Sequence, residues 1–384
     1  MIYLTKSLGG KVLRIRQVHN QKDLLDFIKF PWKVYKNDPF WVSPLIADRK
    51  DFFNPQKNPF FKHSEVVFYL AEKDNELAGR ICGIVNNNHI DFHQEKAGFF
   101  GFFECVKDFE VAKALLDQVK AWLESKGMEI MRGPMNFSTN DEVGFLLEGF
   151  DSSPVFMMPY NLPYYLDFMD KYGLNKAKDL LAYYLDESNK PPDRVVKMAE
   201  RIEKKKEIQV RCINLKNFEE EVQKIKKIYN SAWSKNWGFV PMTDEEFEHL
   251  ARNLKMIIDP NLVFIAEVDE KPAGFSMALP NINIVLKKLN GRLFPFGLVK
   301  LLWYTKIHKI INSARILTTG VVPEYQKRGL DNLFYIQTIR EGIKRGYIWG
   351  ELSWVLEDNF LMNRALKLLG GRVYKKYRIY EMGI

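Results

Sequence analysis

An internal repeat limits the folds open to this chain more than any other feature of its sequence. In the first half, an apolar run over residues 66–72 leads through Asp74, Asn75 and Glu76 to Ala78-Gly79. In the second half, a matching run over residues 262–267 leads through Asp269, Glu270 and Lys271 to Ala273-Gly274. Apolar runs of period two closed by a polar turn predict a β-hairpin in each half. Ala71 and Gly79 are eight residues apart, as are Ala266 and Gly274, and Arg16 and Arg211 each precede their alanine by fifty-five. Further on, Asn161 precedes a helix-like run closing at Gly173, as Asn359 precedes one closing at Gly370. Agreement at three places predicts two consecutive domains of one fold, 1–190 and 191–384, and a chain of 384 residues has room for both. The join falls near residues 187–193, where Ser188-Asn189-Lys190-Pro191-Pro192 stops a strand and a charged helix over 194–206 begins.

After residue 208 the periodicities read strand, helix (218–232), helix (244–254), hairpin (262–279), a long insert, strand (316–322), helix (331–345), strand (347–356), helix (360–369) and strand (372–381). Thr243-Asp244-Glu245-Glu246 is a capping-box pattern that starts the second of these helices. The order predicts an α/β class, each domain a mixed twisted sheet flanked by helices.

Between the strand at 316–322 and the helix at 331–345 lies Val321-Val322-Pro323-Glu324-Tyr325-Gln326-Lys327-Arg328-Gly329-Leu330. A strand that turns through a glycine- and arginine-bearing loop into a helix aims several backbone N–H groups at one spot, where the helix dipole favours an anion. The segment V-x-P-x-x-Q-x-x-G-L resembles the acyl-CoA-binding signature of the GCN5-related N-acetyltransferases (the GNAT family), in which it joins the fourth strand to the third helix. Glu351-Leu352-Ser353-Trp354-Val355-Leu356-Glu357-Asp358-Asn359, with the helical run after it, looks like that family's fifth strand, its asparagine and its fourth helix. The resemblance covers residues 208–384 and extends to the whole chain through the repeat, as two tandem GNAT-like domains.

That resemblance implies transfer of an acyl group from acetyl-CoA or another acyl-CoA to a small-molecule amine. It implies a cofactor cradle of Val321, Val322, Gln326, Lys327, Arg328, Gly329, Leu330 and Asp331, with Asn359 nearby. A base must deprotonate the incoming ammonium. By period-two counting Glu351, Ser353, Val355 and Glu357 share one face, so Glu357 is the first candidate and Glu351 the second. The chain departs from the family pattern twice. Asp331 stands where a small residue is usual and competes with phosphate for the same N–H groups. Leu366 stands in place of the helix tyrosine that protonates the departing thiolate, and the residues leave Tyr374, Tyr377, Tyr380 or water as substitutes. These departures keep open a non-catalytic binding protein for CoA or another small ligand, and the doubled fold and basic charge leave room for a transferase using aminoacyl-tRNA.

The first copy differs where the chemistry should be. It reads Phe99-Phe100-Gly101-Phe102-Phe103-Glu104-Cys105-Val106-Lys107-Asp108 into a helix over 111–126, three or four residues shorter than the later copy. The missing piece is the Gln/Arg/Gly turn, and Asp108 and Glu110 would repel phosphate. The first copy therefore reads as degenerate, packing against the second and walling its substrate side.

The net charge of +9 makes acidic partners possible but for a chain of this size serves mainly solubility. Cys82, Cys105 and Cys212 form no disulfide or metal spacing and fit a reducing cytoplasm; no signal peptide or apolar run of membrane-spanning length is evident. His89 and His93 have a metal spacing only on a helix, and Asn86-Asn87-Asn88 before them predicts a turn, so no metal is expected. The tract Tyr374-Lys375-Lys376-Tyr377-Arg378 reads as the outward face of a terminal strand rather than a nucleic-acid surface. The insert, residues 281–314, lacks acidic residues but carries Lys287, Lys288, Arg292, Lys300, Lys306 and Lys309 among apolar ones. A helix over 298–311 could shape the acceptor pocket, make peripheral membrane contact with the rest of 283–311, or pack its apolar face inward and show its lysines to water.

Overall fold

The computed structural model describes residues 2–8, 11–186, 188 and 190–384; Glu187 and Asn189 of the predicted join lie outside the described residues. The chain forms two compact units. One holds Met1–Asp179, Leu286–Gly297 and Tyr377–Ile384, and the other Leu180–Val285 and Leu298–Lys376.

In the first unit, β1 (Ile2–Leu8), β2 (Lys11–Gln17), β3 (Ser64–Lys73), β4 (Glu76–Asn86) and β5 (Ala97–Cys105) form an antiparallel ladder. β6 (Ile130–Gly133) lies parallel to β5. The chain's C-terminal residues pair with β6 on its other side, Tyr380 opposite Gly133. Between β5 and β6 runs α1 (Phe109–Ser125), whose Val111, Leu115, Val119 and Leu123 recur every fourth residue and are buried with Ile15, Tyr69, Ile81 and Phe100. α2 (Tyr164–Tyr172) adds Tyr165, Phe168 and Met169 and stops at Gly173 with φ 93°. Residues 286–297 of the insert belong here too. The Trp32 indole donates to Asn290 Oδ1 at 2.9 Å, the Ile46 N–H to the Gly291 carbonyl at 3.0 Å, and Lys287 to Ser153 Oγ at 2.9 Å. This part of the insert packs on the first domain.

The second unit runs from the end of β7 (Asn175–Asp186) through α3 (Asp193–Glu203), β8 (Ile208–Cys212), α4 (Phe218–Trp233), α5 (Asp244–Lys255), β9 (Val263–Val268), β10 (Lys271–Pro280), β11 (Ser313–Val321), α6 (Leu330–Lys344), β12 (Trp349–Leu356) and α7 (Phe360–Leu368) to the first residues of β13 (Arg372–Gly383). Its sheet order is β7-β12-β11-β10-β9-β8, with β11 and β12 parallel and the other pairs antiparallel. Thr243 and Glu246 close the expected capping box on α5. One face of the sheet is covered by α3, α6 and α7 through Ile202, Leu333, Phe334 and Leu366; the other by α4 and α5 through Val222, Ile225 and Phe247.

The repeat holds down to single contacts. Ala71 pairs with Gly79 and Ala266 with Gly274, and each pairing is followed by the same one-residue register shift. Arg16 lies opposite Leu70 and binds Glu72 at 2.7 Å; Arg211 lies opposite Ile265 and binds Glu267 at 3.0 Å.

Three expectations change. His89 and His93 lie on a helix, Asn87–His93, because the Asn86 side chain caps it rather than making a turn; His89 Nε2 meets Glu95 at 3.2 Å, and burial lowers its pKa to about 4. The helix of the insert is short, Gly297–Leu302, and widens into a π-type turn at Trp303–Ile307. The tract at 374–378 is not an outward face, since Lys375 and Tyr377 are almost wholly buried.

Candidate active site

β11 and β12 pair only from Ser313 opposite Trp349 to Ile316 opposite Leu352, and then part. Each carries an extra residue at that point. Against β10, the register jumps from Thr318 opposite Met277 to Ile316 opposite Ala278, leaving Leu317 over. Against β7, it jumps from Leu352 opposite Tyr183 to Val355 opposite Leu181. Bulges bend a strand, end its pairing and re-aim its side chains. Ile316, Val321, Leu352 and Val355 consequently all reach the core under α6, while Arg315, Glu351 and Ser353 project from the opposite face.

On that face stands a buried polar cluster. Glu351 has no exposed surface, and its carboxylate accepts hydrogen bonds from the hydroxyls of Ser353 and Tyr374. Arg315, 2% exposed, donates from Nε to Ser353 Oγ at 2.9 Å and from Nη2 to the Ser353 carbonyl at 3.2 Å. Burial pushes the Glu351 carboxyl above the usual range, although Arg315, the two hydroxyls and Lys375 pull the other way. Tyr374 is only half-buried. Its ring lies 5.6 Å from Tyr184, which stacks on Trp349 at 5.3 Å. A carboxylate with a raised pKa, hydrogen-bonded to a half-buried phenol, can receive a proton handed in through that phenol. Of this cluster, sequence reasoning singled out Glu351 and left Tyr374 unchosen among three tyrosines. It missed Arg315, whose signal was a lone arginine entering an apolar strand.

At the far end of β11 the chain passes Val321, opposite Gly274, and Val322, whose N–H donates to the Ala273 carbonyl at 2.9 Å. A 3-10 turn, Pro323–Tyr325, follows, then Lys327 and Gly329 with φ of 60° and 83°. The Gln326 side chain ties the turn back to the Val321 carbonyl at 3.0 Å. Lys327 and Arg328 are exposed, the latter 5.2 Å above the Tyr325 ring. Gly329 is needed for its positive φ, and a Cβ there would also push on the end of the Ile202 side chain of α3, 2.5 Å away. Leu330 anchors the start of α6 in the core. No side chain caps this helix, so the Asp331 carboxylate in its first turn leaves the leading N–H groups open. Open amides, a positive helix end and two exposed cations fit a diphosphate.

The remaining predicted residues lie elsewhere. Asn359 caps α7, accepting from the Met362 N–H at 3.1 Å. Leu366 is core. Glu357 leaves β12 beyond the bulge and lines a cavity of about 520 Å³ with Leu181, Tyr183 and Arg364. It does not share the Glu351 face, because the extra residue in β12 breaks the period-two count.

No family model matches the sequence. The chain is 37% identical to Protein YghO of Escherichia coli (strain K12), over 96% of its own length and 95% of that protein. It is 36% identical to the bacterial ceramide synthase of Caulobacter vibrioides, over 97% and 98% of the two chains. Among solved structures, the tandem GNAT protein from the clavulanic acid biosynthesis pathway superposes with a TM-score of 0.58 at 11% identity, covering 97% of this chain and 98% of that one, a likeness of fold. This chain has the fold of a tandem GNAT protein. It belongs to one family with Protein YghO and the bacterial ceramide synthase along nearly its whole length.

In this chain the first copy also has a parting pair of strands, since β5 and β6 separate beyond Phe99 opposite Arg132. There the gap is filled. The Met135 N–H donates to the Phe100 carbonyl at 2.8 Å, and a Cβ on Gly101 would stand 1.8 Å from the Met135 carbonyl oxygen. Phe53, Phe102 and Phe137 pack edge to face over the filled region, with ring centroids 4.9–5.9 Å apart. Asp108 accepts from the Glu110 N–H at 3.1 Å and pairs with Lys73, closing the N-terminus of α1. Glu104 is held by the Tyr35 and Tyr165 hydroxyls at 2.7 and 2.8 Å, and its pKa is raised to about 7 by burial.

Proposed function

We propose that the chain is an acyl-CoA-dependent N-acyltransferase whose acceptor is the primary amine of a long-chain amino alcohol. The observation that carries this reading is the parting of β11 and β12 beyond Ile316 and Leu352, with an anion-fitting loop at one end and the Glu351–Tyr374 pair where the strands part. The kinship to a protein named a ceramide synthase supports the acceptor class, because a ceramide is the N-acyl amide of such a base.

The N–H groups at the start of α6, with Lys327 and Arg328, would hold the diphosphate of CoA, and Gln326 and Gly329 would keep that loop in shape. The unpaired edge of β11 beyond Ile316 offers backbone groups to the pantetheine arm. The bound thioester supplies an activated acyl carbon. Tyr374 accepts a proton from the acceptor ammonium as its own passes to Glu351, while Ser353, braced by Arg315, holds the carboxylate. With Leu366 in the place of the usual acid, the departing sulfur takes its proton from water or from Tyr374.

The test is thiol release by the purified chain, with donors from acetyl-CoA to palmitoyl-CoA and sphinganine as amine, the amide being identified by mass spectrometry. Release that depends on both substrates is expected, with a longer acyl chain preferred over acetyl, and Glu351→Gln is expected to slow it by about 10²–10⁴-fold. Release independent of the amine, or unchanged in Glu351→Gln, overturns the assignment.

A further inference from the structure

Seventeen large apolar side chains are exposed among the described residues, and seven of them fall between residues 294 and 307. Surface apolar residues scattered singly need no explanation, but such a concentration marks a contact surface. Within the second unit the exposed ones are Leu298, Val299, Leu302, Trp303 and Ile307, between 50% and 65% exposed. Their spacing (298 and 302; 299, 303 and 307) sets them along one side of the helix Gly297–Leu302 and its π-type continuation. Leu301, Tyr304 and Thr305 are the more sheltered residues. The segment is thus amphipathic in the inverted sense, its inner side mixed and its outer side apolar. Lys300, His308 and Lys309 are exposed beside the apolar row, and no acidic residue occurs between Asn281 and Ala314.

We propose that this outward face docks on the surface of an anionic lipid bilayer. The aliphatic side chains and Trp303 would enter the acyl boundary while Lys300 and Lys309 meet headgroup phosphates, the arrangement of an in-plane interfacial element. Among the described residues no helix is long and apolar enough to cross a membrane. The absence of acidic residues selects this occupant over a second copy of the chain, because two such faces would bring lysines against lysines. If the proposed acyl transfer also holds, docking places the enzyme where lipid-like substrates partition.

Flotation of the full chain with vesicles tests it. Binding to vesicles of 30% phosphatidylglycerol in phosphatidylcholine is expected, weakening with added salt and at least tenfold weaker on phosphatidylcholine alone. Leu302→Glu with Trp303→Glu should lower the bound fraction at least tenfold without moving Tm, since both side chains already face water. Lys300→Glu with Lys309→Glu should lower it on the anionic vesicles only. Failure of the unaltered chain to bind anionic vesicles, equal binding to both vesicle types, or full binding by Leu302→Glu/Trp303→Glu overturns the proposal. So does a lipid-free dimer that the same pair of substitutions dissolves. Thiol release with palmitoyl-CoA and sphinganine presented in neutral detergent without vesicles, followed in parallel, reports acyl transfer separately from docking.

Discussion

The two copies of the fold begin from one frame and treat the same weakness in opposite ways. Each has a pair of parallel strands that stop pairing after three or four residues, which leaves backbone groups without partners. In the first copy the gap is closed by the chain near Met135 and by edge-to-face phenylalanines, and the adjoining helix end is capped by Asp108. In the second, two bulges hold the gap apart, a carboxylate is buried where the strands part and the helix end has no side-chain cap. The lesson is that the fold supplies a cleft by default. One copy retains it and the other has turned it into core.

The largest expected difference is catalytic. Each copy buries one glutamate bound by tyrosine hydroxyls, so Glu351→Gln should lower kcat by about 10²–10⁴-fold, whereas Glu104→Gln should leave it within a few fold; equal losses would end the distinction. Next comes stability. Gly101→Ala drives a methyl group into the Met135 carbonyl and should cost about 3 kcal/mol, seen as a lower midpoint in urea unfolding, whereas an open gap would accept the methyl freely. Third, Arg328→Glu should weaken binding of CoA by about 1.5–3 kcal/mol in calorimetry, at a stoichiometry of one per chain; two sites per chain would show that the first copy is not closed. Fourth, Glu104 carries a pKa raised to about 7, against about 4.3 when unfolded. The folded chain therefore keeps a proton that the unfolded chain loses between those values. Stability from this group is present at low pH and fades as pH rises toward 7. Glu104→Gln should flatten that part of the Tm–pH curve; an unchanged slope would mean that Glu104 is ionised throughout. The smallest effect is that of Asp331→Gly, which removes a negative charge from the first turn of α6 and should tighten CoA binding by about 0.3–1 kcal/mol.

Much of the frame was legible because it depends on local signals. The hairpin spacing, the pairing of Arg16 and Arg211, and the Thr243 cap each need only a few neighbouring residues. The active-site face was less legible, because period-two counting assumes an unbroken ladder. The extra residue in β12 turns Glu357 away from Glu351, and no property of Ser353 or Trp354 announces it. Tyr374, Lys375 and Tyr377 looked like a solvated basic strand because their burial depends on elements distant in sequence. Asn359 matches a family position and caps α7. The insert was ambiguous for another reason. Alternating lysines and apolar residues do not say which side faces inward, and residues 298–307 put the apolar side out.

β13 carries a consequence for how the protein is made. Its first residues belong to the second unit, but Tyr377–Ile384 belong to the first, where Tyr380 enters the main core. The domain synthesised first therefore lacks one strand of its own sheet until roughly two hundred more residues have followed α2. At ribosomal rates of about 5–20 residues per second, that is a wait of about 10–40 s. During this interval β6 presents a bare edge of the kind that recruits wrong partners. Nascent chains stalled before residue 377 should be the species that chaperones capture, and the first domain should become protease-resistant only once those last residues have emerged.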